Sequence, residues 1–300
     1  MPDTRPHILV VDAQSLGARA AHVTADPVGG TRLWCQMVRG VALDVGATGL
    51  VAAWDHDGPT FRHTLFPAYK YRRTGETRAR VAPIRSGVEA TGLYSISVAG
   101  FEGDDVVASA MALLRAEARV TLLSNDSDLL QFVADGVDVV TYVGAGKGEN
   151  GTRVKRWTSD DVVKRFGVPP SALAEFKALC GETGDDIPGV ANIGKSTAAE
   201  LLRRWKTLDK ALEATAFVGQ RDKTAKLAGQ HAQVALMLQL TTLRQDVPLP
   251  AMSLERTMLR DVTWPDGSTA RAAASGVTVR SEAGPGLDDA SWPDVPPEWL

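Results

Sequence analysis

Four short apolar runs in the first half of the chain each lead into carboxylates, and this pattern constrains the fold more than any other feature. His7–Val11 is followed by Asp12, Leu50–Trp54 by Asp55, and Val120–Leu123 by Asp126 and Asp128. The run Tyr94–Val98 is followed by Glu102, Asp104 and Asp105. Runs of this length and composition read as buried strands. Amphipathic stretches lie between them, including Val81–Ala90 and Asp104–Ala118, the second with Val106, Val107, Ala110, Leu113 and Leu114 on one face. Such alternation predicts an α/β fold, a mostly parallel central sheet flanked by helices. In a parallel sheet the C-terminal strand ends share one edge, where ligands bind, so the carboxylates should meet in one crevice.

A single Asp after a strand can be no more than a helix N-cap. A cluster is different, because neighbouring carboxylates repel, raise one another's pKa and need compensating cations. Oxygen ligands with no His or Cys among them suit Mg²⁺ or Mn²⁺ better than zinc. The number of carboxylates suggests two ions, an arrangement that activates water and stabilises a leaving oxygen in phosphodiester hydrolysis.

Farther along, Val137–Tyr142 and Arg153–Trp157 flank the loop Gly144–Gly151, as a hairpin or a surface loop would. Beyond residue 158 the pattern turns helical, with helices expected at Ser159–Phe166, Ser171–Leu179, Lys195–Trp205 and Asp222–Leu243. The expected organisation is a body over 1–250, divided into an α/β part at 1–157 and a helical part at 158–250. An acidic, Pro- and Gly-rich extension follows at 251–300, whose Trp residues could dock on the body.

The 300 residues carry a formal net charge of −3, which taken alone argues against a nucleic-acid partner. The charge is unevenly spread. Residues 62–85 hold Arg62, Lys70, Arg72, Arg73, Arg78, Arg80 and Arg85 against Glu76 alone, and 194–226 form a second basic segment. Such segments favour a polyanionic partner. Only Cys35 and Cys180 are present, so a reducing cytoplasm is the expected location. No apolar stretch is long enough to span a membrane, and no secretory signal pattern opens the chain.

Gly189–Ser196 fits G-x-x-x-x-G-K-S, the pattern of a nucleotide-binding loop. The polar residues before it, with Pro188 directly adjacent, cannot form the buried strand such a loop follows. A glycine hairpin between helices is the better reading, its backbone N–H groups and the next helix N-terminus facing a DNA phosphate.

Taken in order, these motifs resemble the 5′-nuclease (flap endonuclease) superfamily, in particular the 5′-nuclease domain of bacterial DNA polymerase I and stand-alone phage 5′–3′ exonucleases. The resemblance rests on Leu9–Asp12 with Arg19 and His22, Trp54-Asp55, Tyr69-Lys70 with Arg72 and Arg73, and Gly100–Asp105. It continues through Ser124–Asp128, Gly181–Val190, Ile193–Ala198 and Thr242–Leu249. It implies a PIN-like 5′-nuclease fold with a helical arch near 67–85 and a helix–three-turn–helix DNA-binding region near 173–205. It implies a first metal site of Asp12, Asp55, Glu102, Asp104 and Asp126. Asp105 and Asp128 border that site and reach toward a second one completed by Glu182 and Asp185. Lys70 and Arg73 are implied at the scissile phosphate, and Arg19, Arg62, Tyr69, Arg72, Gly189, Ile193, Gly194, Lys195, Ser196 and Thr197 on DNA. Cofactors follow as two Mg²⁺ ions, replaceable by Mn²⁺, with K⁺ at the helix–three-turn–helix. The chain departs from the family pattern in having Glu182 where Asp is usual, Phe101 where Tyr is usual, and a shorter arch.

The expected activity is metal-dependent 5′–3′ exonuclease or flap endonuclease action by a free-standing, monomeric enzyme. Its substrates would be DNA 5′ ends, flaps and RNA–DNA hybrids, in replication or repair and alongside replication proteins. Two alternatives compete: a structure-specific DNA-binding protein with weak catalysis, which would bind flaps without metal-dependent cleavage, and a P-loop NTPase using Gly189–Ser196, which would lose nucleotide affinity on Lys195→Ala.

Overall fold

The structure, a computed structural model, describes residues 4–133, 137–145 and 152–266. In chain order the elements are β1 (His7–Asp12), α1 (Ala13–Val23), α2 (Pro27–Val45), β2 (Gly49–Ala53), α3 (Phe61–Leu65), α4 (Glu76–Glu89), β3 (Ser95–Ile96) and α5 (Gly103–Leu114). They continue as β4 (Arg119–Leu123), β5 (Asp138–Ala145), β6 (Thr152–Arg156), α6 (Ser159–Phe166), α7 (Leu173–Cys180), α8 (Lys195–Trp205), α9 (Leu208–Ala214), α10 (His231–Thr241) and α11 (Leu254–Thr257). A 3₁₀ turn, Ser127–Phe132, follows β4, and another, Thr183–Asp185, follows α7.

The six strands form one sheet in the order β3-β2-β1-β4-β5-β6, parallel except for the β5–β6 pair. Central β1 is buried on both faces, and its alternation divides the core in two. Ile8 and Val10 face α5 and the helical part, while Leu9 and Val11 face α1, α2 and α4. The strand order reverses at β1, with β2 on one side and β4 on the other. That places the crevice at the C-terminal ends of β1, β2 and β4.

Several elements differ from the sequence expectations. β3 is only Ser95–Ile96, since as an edge strand it pairs with β2 alone. α4 starts at Glu76, earlier than Val81, because its first turn is charged and exposed and carries no apolar periodicity. The expected long helix Asp222–Leu243 is broken at Gly229, whose φ of +75° leaves a 3₁₀ turn before α10. β5 and β6 do form a hairpin, but β5 also pairs with β4 and extends the main sheet; residues 146–151 of the loop lie outside the described residues.

The body does not end at 250. Met258 bridges to Gly49, Leu259 N–H donates to Thr48 O, and Trp264 is buried against the α1, α2 and α4 side of the sheet. The expectation that a tryptophan of the extension docks is thus met by Trp264. Residues 267–300, including Trp292 and Trp299, lie outside the described residues.

Candidate metal centre and phosphate clamp

Asp12 ends β1 and caps α1. Its Oδ1 accepts from Ser15 N–H (3.1 Å) and its Oδ2 from the buried Ser124 hydroxyl (2.6 Å), which follows β4. Burial, opposed by these hydrogen bonds and reinforced by the charges of Asp126 and Asp55, pushes its carboxyl up to about 7. Asp55 follows β2 and accepts from Gly103 N–H at 2.8 Å. Its pKa is raised as well, by burial first and by the Glu102 charge second. Asp104 lies in the first turn of α5, and burial with the charges of Asp105 and Glu102 raises it strongly. Carboxylate oxygens of Glu102, Asp104 and Asp105 lie within 4.8 Å of one another. Asp126 stands exposed at the rim and caps the 3₁₀ turn through Asp128 N–H.

Glu102 is held quite differently. Its carboxylate accepts from Lys70 Nζ (2.5 Å), Tyr69 Oη (2.7 Å) and Arg62 (3.2 Å). Burial alone would raise its pKa, but Lys70, Arg62 and these hydrogen bonds outweigh it and hold the group at about 2. Lys70 takes a left-handed backbone, φ +52°, fixed where its N–H donates to Asp185 O. Burial works against its charge, yet Glu102 and Asp185 keep its pKa raised. Arg73 reaches Asp185 Oδ1 at 2.5 Å, and Arg72 pairs with Asp186. The start of the arch is therefore pinned to the turn after α7, with both arginine side chains more than half exposed above the carboxylates.

The fit to divalent ions is uneven. Asp12, Asp55, Asp104 and Asp126 form no ion pair among the described residues, and burial first, then neighbouring carboxylates, raises the pKa of the first three, an oxygen-only setting suited to a hard cation. The carboxylates expected to form a second site carry cationic partners, although burial still raises the Asp128 pKa despite Lys177. Lys177 Nζ lies 2.6 Å from Glu182 Oε2 and also pairs with Asp128, while Asp185 is taken by Arg73. This departs from the expectation that Asp128, Glu182 and Asp185 are free for a second ion.

Five further expectations are corrected. Asp105 lies within 4.8 Å of Glu102 and Asp104 but is engaged as a brace: Arg62 grips both its oxygens, and Arg244 N–H donates to one. Arg62 is only 1% exposed and also donates to Leu240 O, so it cannot reach DNA. Tyr69 is buried with its hydroxyl on Glu102, so it is built into the support of the site and not into an exposed surface. Ile193 is buried and its N–H is spent on Val190 O. Gly189 is buried against Gly181 at φ +72°, where a Cβ would come within 2.4 Å of Gly181 N.

Arg19 is half-buried over the Tyr142 ring, 5.1 Å from its centroid. At the N-terminus of α8, Gly194, Lys195 and Ser196 are exposed and Thr197 half-buried. No strand precedes Gly189; α7 and the 3₁₀ turn do, which removes the P-loop geometry. Sequence reasoning missed Ser124, Asp186 and Lys177. Only Lys177 left a clear signal, a lone cation among the apolar residues Leu173–Leu179.

Two family models match: 5′–3′ exonuclease, N-terminal resolvase-like domain, over residues 7–167, and 5′–3′ exonuclease, C-terminal SAM fold, over 168–263. DNA polymerase I of Rhizobium leguminosarum is 30% identical over 262 residues, 81% of this chain and 25% of the polymerase. The 5′–3′ exonuclease of Bacillus subtilis is 33% identical over 204 residues, 63% of this chain and 67% of that protein. The chain thus spans about a quarter of the length of the polymerase it matches. Bacteriophage T5 5′-exonuclease, solved with zinc ions, has the same fold at a TM-score of 0.65 and 20% identity, covering 79% of this chain and 89% of that one. Human GEN1, solved with Holliday junction DNA, follows at a TM-score of 0.53 and 15% identity, covering 82% and 63%.

Proposed function

The chain belongs to the 5′–3′ exonuclease family, and from that premise we propose that it hydrolyses phosphodiesters near the 5′ ends of DNA, at flaps, nicks and RNA-primed junctions, in the replication or repair of a bacterial or phage-infected cytoplasm. The observation that carries this reading is geometric: Asp12 after β1, Asp55 after β2 and Asp104 at the start of α5 are gathered at one sheet edge, none ion-paired among the described residues, next to the Lys70–Glu102 pair.

Asp12, Asp55 and Asp104, bordered by Glu102 and Asp126, would hold the divalent ion. Mg²⁺ is the proposed ion and Mn²⁺ its substitute, because every donor is a carboxylate oxygen. Bound there, it would supply the Lewis acidity that activates an attacking water and stabilises the departing 3′-oxygen. Lys70 and Arg73 would neutralise charge developing on the scissile phosphate. Tyr69 and Arg62 hold Glu102, and through it Lys70, in one geometry.

The N-terminus of α8, with Lys195, Ser196 and Thr197, would grip a duplex phosphate without reading sequence, and Arg203, Arg204 and Lys206 extend the basic surface. K⁺ is proposed at the same hairpin, and a monomer as the working form.

Cleavage of 5′-labelled nicked, flapped and RNA-primed duplexes tests the substrate. Short labelled products released from the 5′ side are expected. Degradation that begins only from 3′ ends contradicts the proposal.

A further inference from the structure

We propose that Lys177 is a tethered cation occupying the second ion position, so that this protein works with one tightly held divalent ion and one built-in ammonium. The inference rests on the nuclease reading above and assigns a role to a side chain which that reading leaves unused.

Lys177 projects from α7 and is 4% exposed. An ammonium carries three N–H donors and no acceptor. Here all three find oxygens: Ser127 Oγ at 3.0 Å, Glu182 Oε2 at 2.6 Å, and Asp128 Oδ1. The acceptors come from two separate places in the fold, the 3₁₀ turn after β4 and the segment after α7. The amine is coordinated much as a metal ion would be, by carboxylates drawn from different elements.

The contrast with the neighbouring carboxylates gives the arrangement its meaning. Asp128 and Glu182 share Lys177, and Asp185 carries Arg73, whereas Asp12, Asp55 and Asp104 have no cationic partner among the described residues. A divalent ion entering between Asp128 and Glu182 would have to expel a buried ammonium or sit against a like charge. Like charges at such a separation repel, and burial weakens the solvent screening between them. The first position meets no such obstacle. Removing the amine should open the second position to a divalent ion.

Mn²⁺ titration of the full chain without DNA, following the free ion by electron paramagnetic resonance, tests this directly. The wild type should bind one equivalent tightly. Lys177→Met should bind a second, its affinity raised at least about tenfold by loss of the like charge. Adding Glu182→Gln to Lys177→Met should abolish that gain. Because Lys177→Met leaves Asp128 without its partner, Lys177→Gln serves as a gentler variant, with circular dichroism confirming the fold of each. A wild type that binds two equivalents with comparable affinity overturns the proposal whatever the variants do. An unchanged stoichiometry in both folded Lys177 variants overturns it too. A wild type that binds no Mn²⁺ sinks the nuclease reading, and this proposal with it.

Discussion

The Arg62 guanidinium clasps the Asp105 carboxylate with two prongs, NH1 to Oδ2 at 2.5 Å and NH2 to Oδ1 at 2.9 Å, and both side chains are sealed from solvent. The same guanidinium touches Glu102 and the carbonyl of Leu240, so a single buried cation ties α3, α5 and α10 together beneath the acidic crevice. Arg62, expected on DNA, braces the site from within by holding Asp105 and Glu102, both expected at the metal.

Removing one partner of a buried pair leaves the other charge uncompensated. Arg62→Ala should therefore destabilise the protein by about 3–5 kcal/mol in denaturant unfolding. A DNA-contact role would give the opposite pattern, weaker binding at unchanged stability.

Metal-free stability should depend on pH in a defined direction. Asp12 has its carboxyl raised to about 7 from an ordinary 3.8, so between those values the folded chain binds more protons than the unfolded one. Stability then falls as pH rises through that window, by an amount on the order of a few kcal/mol. Asp55 and Asp104 act in the same direction. Glu102, lowered to about 2, acts oppositely and only at lower pH: its contribution is present above its ordinary 4.5 and lost as pH falls through 2. Thermal melting in EDTA from pH 5 to 7.5 should show the decline. Saturating Mg²⁺ should restore stability at the upper end, and Asp12→Asn should flatten the profile.

Lys70 and Lys195 should separate chemistry from binding. Lys70→Ala is expected to lower kcat by at least about 100-fold, the scale of losing one preorganised charge donor, while the Kd for flap DNA moves little. Lys70 sits on Glu102, within the crevice.

Lys195→Ala should do the reverse. It should weaken duplex binding uniformly across sequences and reduce the slope of log Kd against log salt by about 1, as for one phosphate contact. Single-turnover cleavage at saturating enzyme should be nearly unchanged. Nucleotide affinity that disappears with Lys195 would revive the P-loop reading.

The sheet and its acidic edge were legible because strands buried on both faces read as continuous apolar runs, and each run announces its end with a carboxylate. Asp12, Asp55, Asp104 and Asp126 could be found from position alone. Their counter-charges could not. Arg62, Tyr69 and Lys177 are buried by contacts with residues 33 to 178 positions away, and nothing in their own neighbourhoods separates a brace from a DNA contact. A positive residue in a basic run reads as surface, and Arg62, 1% exposed, shows how that inference fails. Trp264 was legible only as an aromatic that needs a partner, because its docking depends on the shape of the α2 side of the sheet. The nineteen-residue α2 went unread although Asp26 and Pro27 mark its start, because attention to apolar runs favours strands.

The Asp12, Asp55 and Asp104 crevice is proposed to cleave DNA only when a divalent ion offsets its charge. The most direct measurement is single-turnover cleavage of a 5′-labelled flap with Mg²⁺ or with EDTA, comparing wild type with folded Asp104→Asn. The wild type should cleave with Mg²⁺ and not in EDTA, and the variant should lose at least about 100-fold, equivalent to about 2.7 kcal/mol of transition-state stabilisation. Cleavage that persists in EDTA, or a folded Asp104→Asn that retains the wild-type rate, would contradict it.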